Sequence, residues 1–317
     1  MTITNTEIIK KAGIHTQGNY GASGLLNPAQ SEKFIDMIMD SSEFLKKLRY
    51  EKKDRISGTI SKLGVGSRLL RGKAEGKDTI SGNEVIPVIG DVPYQVEKMK
   101  LGTFMTEDWL EENIERENFE DHFMGKIASQ IQVDLLDLAF NGDEDTSSSD
   151  LDYEFLKLND GYIKQIKKKG HVVDGATING GKFGKKYFYS LRRAVPKKYR
   201  NPKFRWICSD DTYTDLSEYL SERPTALGDI AITKGERIEI LGTGFETVPN
   251  MPDDVILYAE PENLVIVYTK DIKHRKTTEG KEAVYEDKRF YATHLGADFV
   301  ITEIDATGIL INRGPLA

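Results

Sequence analysis

Several groups of residues in this chain have types and spacings that could do chemistry. Gly180-Gly181-Lys182-Phe183-Gly184-Lys185-Lys186 carries the glycines and lysines of a phosphate-binding loop. Such a loop needs four residues between its first glycine and a Gly-Lys pair, then a Ser or Thr hydroxyl for magnesium. Here the spacing is one residue short and Lys186 stands where the hydroxyl belongs, so no nucleotide site is expected. Gly64-Val65-Gly66 lacks the third glycine of a dinucleotide fingerprint. The histidines (His15, His122, His171, His274, His294) lack the i, i+4 spacing of a zinc helix. Asp143, Glu144, Asp145, Asp150 and Asp152 could loosely hold a cation, but the glycine and terminal glutamate of a calcium loop are missing. They read as a solvated linker. The lone cysteine, Cys208 in RWICSDD, excludes a disulfide framework and reads as a buried, inert thiol at a strand end. No catalytic residue, cofactor or metal is expected, and an enzyme is the weaker class.

The elements that would have to position such residues are more telling. In YQVEKMKLGTFMTEDWLEENIERENFEDHFMGKIASQIQVDLLDLAFNG, residues 94 to 142, a strand runs into one long helix. Acids crowd its first turns from Glu107, where the helix dipole favours negative charge. Leu110, Ile114, Phe119, Phe123, Ile127, Ile131, Leu135 and Leu138 recur at helical spacing, and Asn141-Gly142 is a plausible stop. A helix over 107–141 is about 50 Å long at 1.5 Å per residue. One apolar stripe on so long a helix marks a spine, with Phe119, Phe123, Ile127, Ile131 and Leu135 as its core positions.

Around the spine the order of parts follows the composition. Residues 1–27 are polar and form an arm that needs another surface to order it. Asn27-Pro28 opens a helix assigned to 28–53. Residues 54–104 are glycine-containing and alternate, as a long two-stranded ribbon would, with a charged tip carrying Arg68, Arg71, Lys73 and Lys77. A ribbon that long has too little core to stand alone. The rest of the chain offers no obvious dock, so a neighbouring subunit is the natural cover. Residues 151–253 read as an α/β sub-domain, and 254–317 as strands that return to cover the spine.

The net charge of −7 conceals an asymmetry. Residues 164–205 hold fourteen Lys or Arg against one acid, Asp174, so the segment is +13 and the remainder of the chain −20. Its most concentrated cations are Lys167, Lys168, Lys169, Lys185, Lys186, Arg192 and Arg193. The helix over 107–141 holds ten acids and only Arg116 and Lys126 as bases. Such segregation suits contact between copies of one chain, a nucleic-acid footprint or a solvated face. Mean hydropathy is −0.46 and apolar runs are short, so no membrane-spanning helix is expected. Residues 1–25 have no signal-peptide core, and a soluble, intracellularly folded protein is expected.

Arm, short helix, β-ribbon, spine helix, α/β insertion and returning sheet together resemble the major capsid protein of tailed bacteriophages, a fold shared with encapsulin shells and the herpesvirus capsid floor. VPYQVEKMKLGTFMTEDWLEENI is similar to the ribbon strand entering the spine, and AFNGDEDT to the turn at the spine's end. ILYAEPENLVIVYTKDIKHR is similar to the re-entering strand-turn-strand, and RFYATHLGADFVITEID to the last long strand of the sheet. The resemblance implies an α+β coat fold. Its peripheral domain would be 105–150 and 254–317, its axial domain 151–253, and its extended loop 54–104 would lie on an adjacent subunit.

It also implies a virion shell of pentamers and hexamers around double-stranded DNA, assembled in the host cytoplasm. The implied partners are further copies of the chain, a separate scaffolding protein (the arm being too short for a fused one), a portal and in some cases a decoration protein. DNA would be bound non-specifically and no membrane is involved. Lys73 or Lys77 could serve a covalent cross-link of the kind some relatives form, but no motif identifies an Asn partner. The rival readings are an encapsulin-type compartment, which the polar residues 13–24 disfavour, and a nucleic-acid-binding protein using 164–205.

Overall fold

The computed structural model describes residues 38, 42–65, 87–108, 119–221, 238–269, 273–277 and 281–315. The arm 1–27 and the ribbon-tip residues Arg68, Arg71, Lys73 and Lys77 lie outside them. The strands are β1 (Arg49–Lys53), β2 (Ser57–Val65), β3 (Pro87–Gln95), β4 (Glu97–Thr106), β5 (His171–Asp174), β6 (Arg205–Cys208), β7 (Glu239–Ile240), β8 (Thr243–Thr247), β9 (Ile256–Ala259), β10 (Leu264–Thr269), β11 (Lys273–Thr277), β12 (Lys288–Ile301) and β13 (Gly308–Ile311). The helices are α1 (Phe119–Asn141), α2 (Tyr153–Leu156), α3 (Tyr162–Lys169), α4 (Lys185–Ala194), α5 (Asp210–Ser221) and α6 (Lys281–Tyr285).

Of the spine expected over 107–141, α1 covers Phe119–Asn141 and the backbone is helical at Glu107 and Asp108, while Leu110 and Ile114 lie outside the described residues. Ile127, Ile131, Leu135 and Leu138 are buried, as their spacing requires. Phe119 and Phe123 lie in the helix's first turns. Beneath α1 is a five-stranded sheet ordered β1-β10-β12-β11, with β4 on the other edge of β12. Residues Arg49–Lys53 are a strand, not the end of the helix expected over 28–53. Paired parallel to β10, they satisfy an edge that would otherwise be bare. The hairpin expected over 54–104 also divides. β2 and β3 pair as a ribbon from Ser57–Gln95 to Val65–Pro87, whereas β4 leaves it and runs antiparallel to β12.

Strand β10 explains why the run LVIVYT is apolar throughout. Side chains alternate between the faces of a sheet. Leu264, Ile266 and Tyr268 meet the spine on one face. Val265 and Val267 meet Ile60, Tyr94 and Val96 of the ribbon base on the other. The ribbon therefore has a dock in its own chain, contrary to the sequence-based expectation. That dock was hidden because about two hundred residues separate its two halves.

A second sheet, ordered β5-β13-β9-β6-β8-β7, is also covered on both faces. Ile207, Leu257 and Ile309 join the spine's core, while Trp206, Cys208, Ile256, Tyr258 and Leu310 join a separate aromatic core with α4 and α5. There Trp206 lies 4.3 Å from Tyr258 and 5.1 Å from Phe188, and its indole N–H donates to the Ile240 carbonyl at 3.2 Å. Two of these strands, β9 and β13, come from the 254–317 segment assigned above to the peripheral sheet. The boundary between the two sheets is instead crossed at the turn Pro261–Asn263 between β9 and β10, and again between β12 and β13.

The sheets are joined where α1 ends. Gly142 stops the helix by close approach rather than by a left-handed conformation. A Cβ there would fall 2.4 Å from the Asn159 carbonyl oxygen, and Gly161 donates its N–H to the Gly142 carbonyl at 2.8 Å. Around this contact Phe44, Phe140, Tyr162 and Phe299 form a chain of rings 5.7 to 5.9 Å apart, linking the N-terminal segment, spine, α3 and β12. Phe140→Ala empties the middle of that chain. It should lower the unfolding free energy by about 3–5 kcal/mol in a urea titration, and a loss under about 1 kcal/mol would remove the joint from this account.

Candidate functional site

The chemistry-bearing residues fall into structural roles. In the GGKFGKK stretch, Gly180 and Gly181 turn the chain at positive φ and Phe183 is buried in the aromatic core. Cys208 is buried at the end of β6, and burial pushes its thiol up to about 12, far from a nucleophile's range. Among the described residues no group of three or more His, Cys, Asp or Glu is placed to hold a metal.

The acidic link is largely solvated, with Glu144, Asp145, Asp150 and Asp152 exposed as expected, but Asp143 and Asp145 also pair with a lysine. Lys164, on the first turns of α3, is only 12% exposed and sits among Asp143, Asp145 and Asp160, with Nζ 2.5 Å from Asp145 and 3.3 Å from Asp160. Lys168, one turn on, binds Asp160 at 2.9 Å. The turn that follows the Gly142–Gly161 contact brings these acids back over α3, so charges that look segregated in sequence cancel in space. The hydrogen bond and charge of Lys164 hold Asp145 below its ordinary range. Burial works to raise Asp160, but Lys168, the Glu144 N–H and Lys164 outweigh it and the group is lowered. Burial likewise works to lower Lys164, and its three carboxylates outweigh it and raise the ammonium's pKa.

The remaining cations of residues 164–205 do not form one patch. Lys167, Lys168 and Lys169 end α3, which packs on the spine side of the second sheet. Lys185, Lys186, Arg192 and Arg193 belong to α4, whose core residues lie on the other side. Arg192 is committed to the Leu241 carbonyl at 2.8 Å, and Arg205 and Lys203 pair with Glu246 and with Glu260 and Glu262. Lys167, Lys169, Lys185, Lys186 and Arg193 remain exposed.

At the ribbon base a further constellation appears that sequence reasoning missed. Asp298 of β12 accepts hydrogen bonds from the Gln95 N–H at 2.7 Å, the Asn159 amide at 3.0 Å and the Phe299 N–H at 2.8 Å. Lys62 of β2 reaches Glu303 at 2.9 Å and the Thr302 carbonyl at 3.2 Å. Burial raises Asp298, with the Gln95, Asn159 and Phe299 donors opposing the rise. The carboxylate thus pins the start of the ribbon to the sheet and to the turn before α3. No signal in sequence marks it, because its partners lie far away along the chain.

A spine helix laid across a sheet, a two-stranded ribbon leaving that sheet's edge and a second mixed α/β unit define a coat-fold shell protein. Comparison with known proteins agrees. The chain is 30% identical over 284 residues, 85% of its own length and 87% of the relative's, to the Bacillus subtilis (strain 168) protein YqbE, described as a prophage capsid protein. It belongs to the tailed-bacteriophage capsid proteins, and its role is that of a structural protein of the capsid shell.

Among solved structures it is similar to a chain of the satellite phage P4 procapsid, with a TM-score of 0.67, 16% identity and 96% of both chains covered. A chain from the capsid of the native GTA particle gives a TM-score of 0.57, 13% identity and coverage of 94% and 95%. The holo-SrpI encapsulin complex of Synechococcus elongatus PCC 7942 gives 0.52 at 10% identity, with 86% and 88% covered. No protein-family model matches the chain. No helix among the described residues is long and apolar enough to cross a membrane.

The Lys164 cluster has a defined pH signature. Asp145 and Asp160 are lowered on folding, so their stabilisation is complete above the ordinary carboxylate range and is lost as pH falls through and below it. Lys164 is raised, so its share persists through neutral pH and is lost only under strongly alkaline conditions. Lys164→Met should lower the thermal midpoint by roughly 2–4 °C at neutral pH. The gap from wild type should close as pH drops from about 5 to about 2. A gap that widens on acidification would contradict the assignment.

Proposed function

We propose that copies of this chain close as pentamers and hexamers into an icosahedral shell around double-stranded phage DNA, acting by assembly rather than catalysis. The shell would form in the host cytoplasm with a separate scaffolding protein and a portal, and would accept a decoration protein where one is present. The packaged DNA would be touched without sequence preference. In each copy, 105–150 with the five-stranded sheet would serve as the peripheral unit and the second sheet as the axial unit.

One observation carries this reading. The ribbon is held at its base by Ile60, Tyr94, Val96 and Lys62, yet its pairing continues outward to Val65 and Pro87. A two-stranded ribbon is not stable beyond its support. Its outer part, with Arg68, Arg71, Lys73 and Lys77 in the tip sequence, would gain that support on a neighbouring copy. The cations left exposed at Lys167, Lys169, Lys185, Lys186 and Arg193 would then face neighbours or the lumen.

Negative-stain electron microscopy of the purified chain, alone and co-expressed with its genomic neighbours, should give closed particles, capsomers, tubes or sheets. Uniformly small protomers in both preparations would defeat the shell reading. Deleting Arg68–Asp78 should leave the protomer folded by circular dichroism and abolish closed particles, and closed particles from that variant would refute the role given to the ribbon. Lys167→Glu with Lys169→Glu should cut particle yield while leaving the protomer's melting temperature within about 2 °C, since both side chains are exposed. Equal damage to both readouts would make these lysines structural.

A further inference from the structure

Helix α4 lies on the face of the second sheet that turns away from the spine, with Tyr187, Phe188 and Leu191 buried in the aromatic core. Spacings of three and four residues gather Lys185, Lys186, Tyr189 and Arg193 on the helix's opposite side, and all four are exposed. Lys182, just before the helix, is exposed as well.

These cations are uncommitted. From Gly175 to Ser209 the chain holds ten Lys or Arg and no acid. Arg192 and Arg200 are taken by main-chain carbonyls, and Lys203 and Arg205 by Glu260, Glu262 and Glu246. Among the described residues no carboxylate pairs with Lys182, Lys185, Lys186 or Arg193.

Nor do the lysines serve the helix that carries them. Lys185 and Lys186 occupy the first turn of α4, which holds no acid, and cations are unfavourable at the positive end of a helix dipole. Lys167, Lys168 and Lys169 differ, because they sit in the last turn of α3, where the dipole favours them.

The face suits phosphate better than protein. Interfaces between proteins are built on an apolar centre and are poor in lysine. Among the exposed residues of α4, Tyr189 alone carries a ring, and it is 43% exposed. Lys, Arg and Tyr side chains all donate to phosphate oxygens. From Lys185 to Arg193 the helix rises about 12 Å, the axial length of roughly three phosphates on one strand of a duplex.

We propose that the outer face of α4, with Lys182, Lys185, Lys186, Tyr189 and Arg193, binds the phosphate backbone of double-stranded DNA. The inference rests on the shell reading and deepens it, giving the packaged DNA a contact surface distinct from the exposed lysines of α3.

Fluorescence anisotropy of a labelled duplex of about 30 base pairs with the unassembled full chain tests it. The wild type should bind without sequence preference, and its affinity should fall as salt rises. Lys185→Gln with Lys186→Gln and Arg193→Gln should weaken binding about tenfold or more at low salt and reduce the slope of log K against log salt by about 2 to 3. Arg193→Gln alone should lower the slope by about 1, so the test survives a triple variant that fails to fold. Lys98→Gln with Lys100→Gln and Lys126→Gln removes the same charge from other exposed positions and should leave the slope within about 0.5 of wild type. Equal losses from the two triple variants would reduce the effect to net charge and overturn the assignment, as would a wild type that does not bind. Melting of each protomer provides the folding control, and particle yield of the α4 triple variant should stay within about twofold of wild type. Lost particles with unchanged DNA binding would give the face to an acidic surface of a neighbouring copy and equally overturn it. Absence of particles from the wild type would count against the shell reading and leave the binding measurement standing, separating the two failures.

Discussion

The two sheets of this protein share one core, and everything else hangs from that continuity. Leu264, Ile266 and Phe299 of the first sheet and Ile207, Leu257 and Ile309 of the second all pack into the cluster that the C-terminal half of α1 and the buried face of α3 fill. A hinge between the sheets would have to open apolar surface to water at about 25 cal/mol per Å². The Gly142–Gly161 contact and the rings of Phe44, Phe140, Tyr162 and Phe299 fix the joint at its tightest point. The protein is therefore stiff where its sheets meet, and its scope for adjustment lies in what leaves the sheets.

The charges divide in another way. Some are spent within the chain: Lys164 and Lys168 on the acids of the 143–160 turn, Arg313 on Asp215, Arg289 on Glu107. Others stay exposed on α4, on the end of α3 and on β4. A shell subunit needs both kinds. Internal pairs hold its shape, and uncommitted surface charge makes contacts that are individually weak and collectively selective. Sequence alone cannot separate the two, because the sign of a charge carries no record of which side of a sheet it will occupy.

What could be read in advance was what local pattern encodes. The spine showed in the spacing of Ile127, Ile131, Leu135 and Leu138, the buried thiol in the setting of Cys208, and the coat architecture in the order of its elements. What could not be read depended on distant pairings. RYEKK at Arg49–Lys53 has no strand pattern of its own and becomes one because β10 supplies a partner. The ribbon's dock needed Ile60 to meet Val265 and Val267. Membership of β9 and β13 in the second sheet was hidden because both are short apolar runs that would suit either sheet.

Strand β1 pairs in parallel with β10, Arg49 against Val265, and the ribbon base rests on the same β10 and on Val300. Synthesis runs from the N-terminus, so both early elements must wait for residues made some two hundred positions later. Contacts of such long sequence separation form slowly and late. A nascent chain on the ribosome therefore cannot set its ribbon at the angle a neighbour would have to meet. Until translation has almost finished, Ile60, Tyr94 and Val96 of the ribbon base lack the β10 and β12 residues that cover them, so half-made copies expose apolar surface and the order of synthesis is itself a hazard of this topology.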